Sequence, residues 1–308
     1  MSSSKMPQRR RDPVKRSLAA VIAGWLVLLA SPARLAAADT SLSWESQFRF
    51  GIIGNANFTD GPKDLGSVKA LDYRFRAVAS LPAGSNVLLR AGVDFAQTHF
   101  DAPISAHVPD VLQTASVVVG VDVQIGEAWI FRLDLQPGFY SGHTSLRSQD
   151  FSVPITLGAS YFVSADLQFI AGVSIDVNRK YPVLPGVGLR WKVAPDWVVN
   201  AILPNPRLEY SVTSAVLLYA GADIQVGTYR VDSDFGSARR DAKLNDAFVD
   251  FTQIRAGIGA SWTLTPAATV ELEAGLVPVY DLDYHRAEFR VRSDELPPYG
   301  GLNVKLKF

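Results

Sequence analysis

The 308-residue sequence contains no cysteine, which excludes a disulfide, a lipid-modified cysteine after a leader and any thiolate metal site. It lacks a surplus of either charge, with 30 basic and 30 acidic residues. It has no Walker, Rossmann, zinc-protease or EF-hand pattern, so no cofactor or metal is expected. From Leu42 onward it also lacks a convincing amphipathic helix, which removes the helical and α/β classes.

The long uncharged run that does occur lies at the start. Lys5, Arg9, Arg10, Arg11, Lys15 and Arg16 precede an apolar core from Leu18 to Ala30, and Ala36-Ala37-Ala38 stand before Asp39. That core is short for a membrane span, and a basic region, an apolar core and a small-residue site in this order make residues 1–38 a Sec signal peptide. The mature chain is then 39–308. Removing seven basic residues and one acidic residue leaves 23 against 29, a net charge of −6 that disfavours a nucleic-acid partner.

What is present is alternation. Between Gln253 and Leu264, Ile254, Ala256, Ile258, Ala260, Trp262 and Leu264 fall on one face, with Gln253, Arg255, Gly257, Gly259, Ser261 and Thr263 on the other. Similar strands run through 42–52, 71–81, 87–95, 114–125, 129–136, 152–162, 167–177, 215–231, 269–280 and the tail, GGLNVKLKF. The polar faces carry charges at mid-strand, whereas the apolar faces carry almost none. Short connections, such as those near 82–86, 126–127, 164–165, 194–196 and 265–267, alternate with long ones near 54–67, 97–112, 141–151, 232–246 and 282–299. Short turns at one end and long loops at the other are the layout of a transmembrane antiparallel up-and-down β-barrel of the bacterial outer membrane. Both termini belong at the short-turn end, so the strand number is even. Pro204 and Pro206 divide 198–211 into two short strands, which gives 14 strands, or 12 if a short segment leaves the wall.

The tryptophans sort with this layout. Trp44, Trp129, Trp191, Trp197 and Trp262 all lie beside a short turn or the mature N-terminus, and Phe308 ends the last strand on that side. Together they form a periplasmic aromatic girdle at the headgroup level. A final strand with alternating apolar residues and a terminal Phe resembles the signal read by the bacterial outer-membrane assembly machinery. The expected partners are therefore that machinery, the lipid bilayer and lipopolysaccharide.

The segments LPNPRLEYSVTSAVLLYAGADIQVGTYRV (Leu203 to Val231) and QIRAGIGASWTLTPAATVELEAG (Gln253 to Gly275) resemble an uncharacterised family of bacterial outer-membrane β-barrels, a domain of unknown function. The likeness is strongest over the C-terminal half. It implies the barrel fold and brings no activity or catalytic residues.

If the apolar faces meet lipid, the opposite faces line the lumen. They carry Arg49, Asp72, Arg74, Arg76, Arg90, Asp94, Asp122, Arg132, Asp134, Arg190, Glu209, Asp223, Arg255, Glu271 and Glu273, with Glu45, Asp176, Lys192 and Arg207 beside them. Charges held inside need partners, so a ladder of ion pairs is expected. The barrel is read as a passive, porin-like solute channel or as a structural or surface barrel with a charge-filled lumen; 12 to 14 strands leave room for water. The alternative is a hydrolase acting on lipid A or another substrate at the outer rim. His143 and Ser145 place a base and a hydroxyl on one side of an extended segment, with no third partner evident nearby. Asp281, Asp283 and His285, and His99 with Asp101, are acid and histidine pairs of the kind that activate water.

Overall fold

The computed structural model describes residues 42–308; residues 1–41, and with them the signal peptide read above, lie outside the described residues. Its strands are β1 (Ser43–Asp60), β2 (Lys63–Pro82), β3 (Val87–Asp101), β4 (Val111–Ile125), β5 (Trp129–Leu135), β6 (Gly138–Ser141), β7 (Phe151–Ser152), β8 (Ile155–Phe162), β9 (Leu167–Ile175), β10 (Val183–Ala194), β11 (Trp197–Asn200), β12 (Arg207–Ser211), β13 (Val216–Arg230), β14 (Phe248–Thr265), β15 (Ala268–Tyr284), β16 (Phe289–Ser293) and β17 (Pro298–Lys307). Three pairs of segments each make one wall strand: β5 with β6, β7 with β8, and β16 with β17. Pro137, Pro154 and Pro297 mark the breaks, where a residue without an N–H cannot extend the ladder. Counted this way the wall has 14 antiparallel strands, each paired with its chain neighbours.

The wall closes on itself. β17 pairs with β1 from Glu45 opposite Lys307 to Ile53 opposite Tyr299. Trp44 and Phe308 exchange both backbone hydrogen bonds at 2.8 Å, so the terminal aromatic residue is the last rung of the closing seam. The outward faces are apolar: Val93, Val119, Phe131, Leu157, Val187, Leu218, Ile258 and Leu272 are all exposed. In water such a band would be unfavourable; against hydrocarbon it is what a barrel requires.

The outer end differs from the sequence reading in two ways, both traceable to β-bulges. The register of β1 against β2 slips between Ile53 and Ala56, and that of β14 against β15 slips between Ile254 and Ala256. A one-residue slip exchanges the two faces of a strand. Below the slips Arg49, Glu271 and Glu273 face the interior; above them Ala56, Phe58, Tyr280, Leu282 and Tyr284 do. These join Val68, Phe100, Leu112, Phe251, Val291 and the loop residues Val231, Phe235 and Leu244 in one buried apolar cluster. The segments 54–67 and 282–299, expected as long loops, are therefore largely strand. β1 continues to Asp60 and turns through Gly61, at φ +56°, into β2. The long connections that remain include 102–110, 142–150, 176–182 and 231–247.

The proline-bearing segment makes the wall uneven. β11 and β12 are only four and five residues long, so their hairpin stops halfway up. Above it β10 pairs with β9 alone over Val183–Gly188. Facing it across the gap, β13 pairs with β14 alone from Gln225 to Tyr229, until Arg230 meets Ser141 of β6. Ala222 and Ile224 donate their N–H groups away from β14, to the carbonyls of Pro206 and Pro204, and Val226 lies on that same side of β13.

This bonding predicts unequal tolerance of proline. Val304→Pro, where β17 meets both β1 and β15, is expected to abolish the heat-modifiable gel band of the folded barrel. Val226→Pro is expected to keep it.

Candidate functional site

Alternate residues of each strand point into the lumen, and there the charges find partners across distances that the sequence does not reveal. Arg49 reaches Asp223 at 2.7 Å, and Asp223 also accepts from Asn205 and Gln225. Arg255 meets Asp72 at 2.5 Å and donates from Nε to Gln253. Arg74 (Nε, 2.8 Å) and Arg76 (3.2 Å) share Asp94. Arg90 bonds Asp134 at 2.7 Å, and Arg132 grips Asp122 through two bonds of 2.7 Å. Arg190 lies 3.3 Å from Glu209. Glu271 holds Lys305 at 2.8 Å with Arg207 at 3.7 Å, and Glu273 accepts from the Tyr219 hydroxyl at 3.4 Å. Every carboxylate in this set thus has a cationic or hydrogen-bonding partner, as charges removed from bulk water require.

The set is not evenly buried. Arg255 is 1% exposed and Asp72 and Asp223 are buried, so the side of the interior near β1, β14 and β15 is packed. By contrast the side chains of Arg132 and Arg190 remain 48% and 45% accessible. These two face inward from β5 and β10. The interior therefore has a sealed side and a side open to water.

The girdle residues Trp44, Trp129, Trp191, Trp197, Trp262 and Phe308 lie at the short-turn end with their side chains exposed. Trp129 packs against Tyr161 and Trp197 against Tyr210, with ring centroids 4.6 and 4.8 Å apart.

At the opposite rim the structure rearranges the candidate pairs. His143 Nδ1 lies 3.0 Å from Ser145 Oγ, and its Nε2 lies 3.3 Å from a carboxylate oxygen of Asp150. Asp150 is the third partner that inspection of the sequence missed. A 3-10 turn at Ser148–Asp150 folds it back, with the same carboxylate accepting from the Arg147 N–H at 2.9 Å. His143 and Asp150 are buried while Ser145 is exposed. His285 does not pair with Asp283; its Nδ1 lies 3.4 Å from Asp250. Asp283 instead binds Lys180 at 2.7 Å, a hydrogen bond that raises the ammonium pKa above its ordinary value, and Asp281 binds Arg290. His99 contacts Gln97 at 3.0 Å and stacks on Tyr73, leaving Asp101 exposed. Among the described residues no group of three or more His, Cys, Asp or Glu side chains is placed to hold a metal ion.

No protein-family model matches the chain. No curated protein matches it in sequence either. Solved structures do resemble it. An outer membrane channel from Pseudomonas putida F1 aligns over 90% of this chain and 99% of its own, at 9% identity and a TM-score of 0.49. The NanC porin aligns over 85% and 100%, at 13% identity and 0.40. A mutant of the TodX monoaromatic hydrocarbon channel aligns over 92% and 94%, at 9% and 0.40. All are channels or porins by name, but at these TM-scores the likenesses decide nothing about function. The fold rests on this chain's own closed pairing, which agrees with the class implied by the sequence resemblance.

Breaking the buried pair tests the packed side. Arg255→Ala leaves Asp72 without its cation in a site closed to water, and is expected to cost about 3–5 kcal/mol. Arg132→Ala, at a half-accessible pair, is expected to cost under about 1 kcal/mol. Urea unfolding of the barrel in lipid, followed by tryptophan fluorescence, measures both.

Proposed function

We propose that the chain is an outer-membrane channel through which small solutes pass along the water-accessible side of the lumen. The observation that carries this reading is the half-accessible state of Arg132 and Arg190 on the inner face of a closed wall. A barrel serving only as a surface scaffold has no need of accessible charge within it. The apolar outer band and the tryptophans at the short-turn end support a seat in the outer membrane of a Gram-negative bacterium, with lipopolysaccharide around the long-loop half. The signal peptide would deliver the chain to the periplasm, and the last strand, ending at Phe308, would serve as the handle for the assembly machinery. The sealed side fixes the wall, while the open side supplies the path.

Single-channel recording on the mature chain in planar bilayers tests this. Discrete ohmic steps are expected, and Arg132→Glu, which places a second carboxylate beside Asp122, is expected to move the reversal potential in a salt gradient toward cation selectivity. Folded protein without steps contradicts the reading.

A second reading, ester hydrolysis at the outer rim, is favoured by the Ser145, His143 and Asp150 alignment. A hydroxyl beside an imidazole whose other nitrogen lies 3.3 Å from a carboxylate, without a hydrogen bond between them, brings together the groups of an activated nucleophile. A fluorophosphonate probe on the folded barrel separates this from a plain loop hydrogen bond. Labelling of the wild type that is lost in Ser145→Ala supports hydrolysis, and equal or absent labelling of the two removes it.

A further inference from the structure

The gap above the β11–β12 hairpin is more than an irregular seam. Two strands separate β10 from β13 below it, so the facing edges stand about 14 Å apart where the hairpin ends. On the β10 edge, Leu189 uses its carbonyl to accept from Ala201, which places the backbone groups of Val187, Pro185 and Val183 on the gap side. Pro185 has no N–H to leave unpaired, the residue expected at a bare edge. Above, the 176–182 connection straps the gap. The Lys180 N–H bonds Asp250 at 2.8 Å and its ammonium bonds Asp283 at 2.7 Å, on β14 and β15. The frame is therefore closed on four sides: β10, β13, the hairpin loop 201–206 and the strap.

The frame is apolar toward lipid. Val187 is 76% exposed, and Val183, Leu203, Val226 and Tyr181 are exposed around it. Behind it one inward row carries no side chain across three strands. Gly158 of β8, Gly172 of β9 and Gly186 of β10 stand directly opposite one another in register, in the same row as the Asp122–Arg132 pair. A Cβ added at Gly186 would meet nothing within 4 Å, and one at Gly158 only the Ala171 carbonyl, at 3.8 Å. This smooth row runs from the accessible Arg132 to the bare edge at Gly186. On the β13 side the sill is polar, formed by Asp223 with Asn205 and Gln225.

We propose that this window is a lateral port through which small, largely apolar molecules bearing one polar group pass between the lumen and the outer half of the membrane. An unpaired edge facing hydrocarbon has no water to satisfy its peptide groups, so retaining one in an otherwise closed wall calls for compensation. An apolar frame leading over a polar sill to a side-chain-free track fits a molecule with an apolar body and a polar end. The proposal rests on the channel reading for the inner part of the route.

The test uses the full protein in the outer membrane of a Gram-negative host, with N-phenyl-1-naphthylamine, an apolar dye excluded by intact lipopolysaccharide, as the probe. The wild type is expected to raise the initial rate of dye uptake several-fold over the host without it. Gly186→Trp, whose Cβ would meet nothing within 4 Å, is expected to return uptake to the host rate while keeping the heat-modifiable fold. Because the chain has no cysteine, Gly186→Cys labelled with a bulky thiol reagent after folding supplies the same block should the tryptophan variant not assemble. Wild-type uptake at the host rate, or uptake unchanged by either block, overturns the port. Conductance of the same proteins in planar bilayers separates the two claims. Ion steps without dye uptake leave the channel and remove the port, and blockable dye uptake without ion steps does the reverse.

Discussion

In hydrocarbon no water is present to bond a stray peptide group, so every N–H and C=O of a membrane-spanning wall must find its partner in the wall itself. The rest of this structure follows from that requirement. It is why the chain is almost all strand among the described residues, and why the last strand is bound to the first from Glu45 to Ile53. It also explains why the backbone of Phe308 is bonded at both N–H and C=O, to Trp44. Prolines within or between the wall strands stand where the ladder can do without a donor: the breaks in three composite strands, the truncated hairpin, the bare edge of β10, the end of β2 at Pro82 and the bulge of β15, where Pro278 lies outside the paired register.

Once the wall is closed, alternation divides each strand between lipid and lumen, and two bulges change what the lumen receives. Below them, charged residues face inward and are matched across the interior, Arg49 with Asp223 and Asp72 with Arg255. Above them, Phe58, Tyr280 and Tyr284 face inward and pack as a soluble protein's core would. The same strands thus supply a polar lower interior and an apolar outer plug. Strands β5 to β10 escape this packing, and glycines rather than large side chains line part of their inner face. The resulting asymmetry, with one side sealed and the other accessible, leaves the interior partly unfilled without surrendering the stiffness of the wall.

Much of the fold was legible in the sequence because it is written with period two. The alternation through Ile254 and Trp262 places β14, and Pro204 with Pro206 forecasts the divided hairpin that makes the strand number 14. The outer segments were misjudged because a bulge is one residue with no distinctive composition. At Ile53 it reverses the meaning of alternation, so Ala56 and Phe58 read as loop when they are strand facing a core. The site was legible only as a list of inward charges. Which carboxylate meets which cation depends on strand placement around the wall, as with Arg255 and Asp72, 183 residues apart. Asp150 escaped notice because a tight turn, rather than strand spacing, brings it to His143. His285 was joined to its near neighbour Asp283, whereas its Nδ1 lies by Asp250, the residue that strand pairing sets opposite Asp283.

Residue-resolved hydrogen exchange of the folded barrel in lipid nanodiscs tests most directly whether the wall is sealed at the seam of β1 and β17 and open at the proposed window. The amides of Val183, Val187, Val226 and Thr228, on the gap sides of β10 and β13, are predicted to exchange orders of magnitude faster than those of the closing seam between β1 and β17. Equal protection at the two places would mean that β10 and β13 meet after all, and the window would not exist.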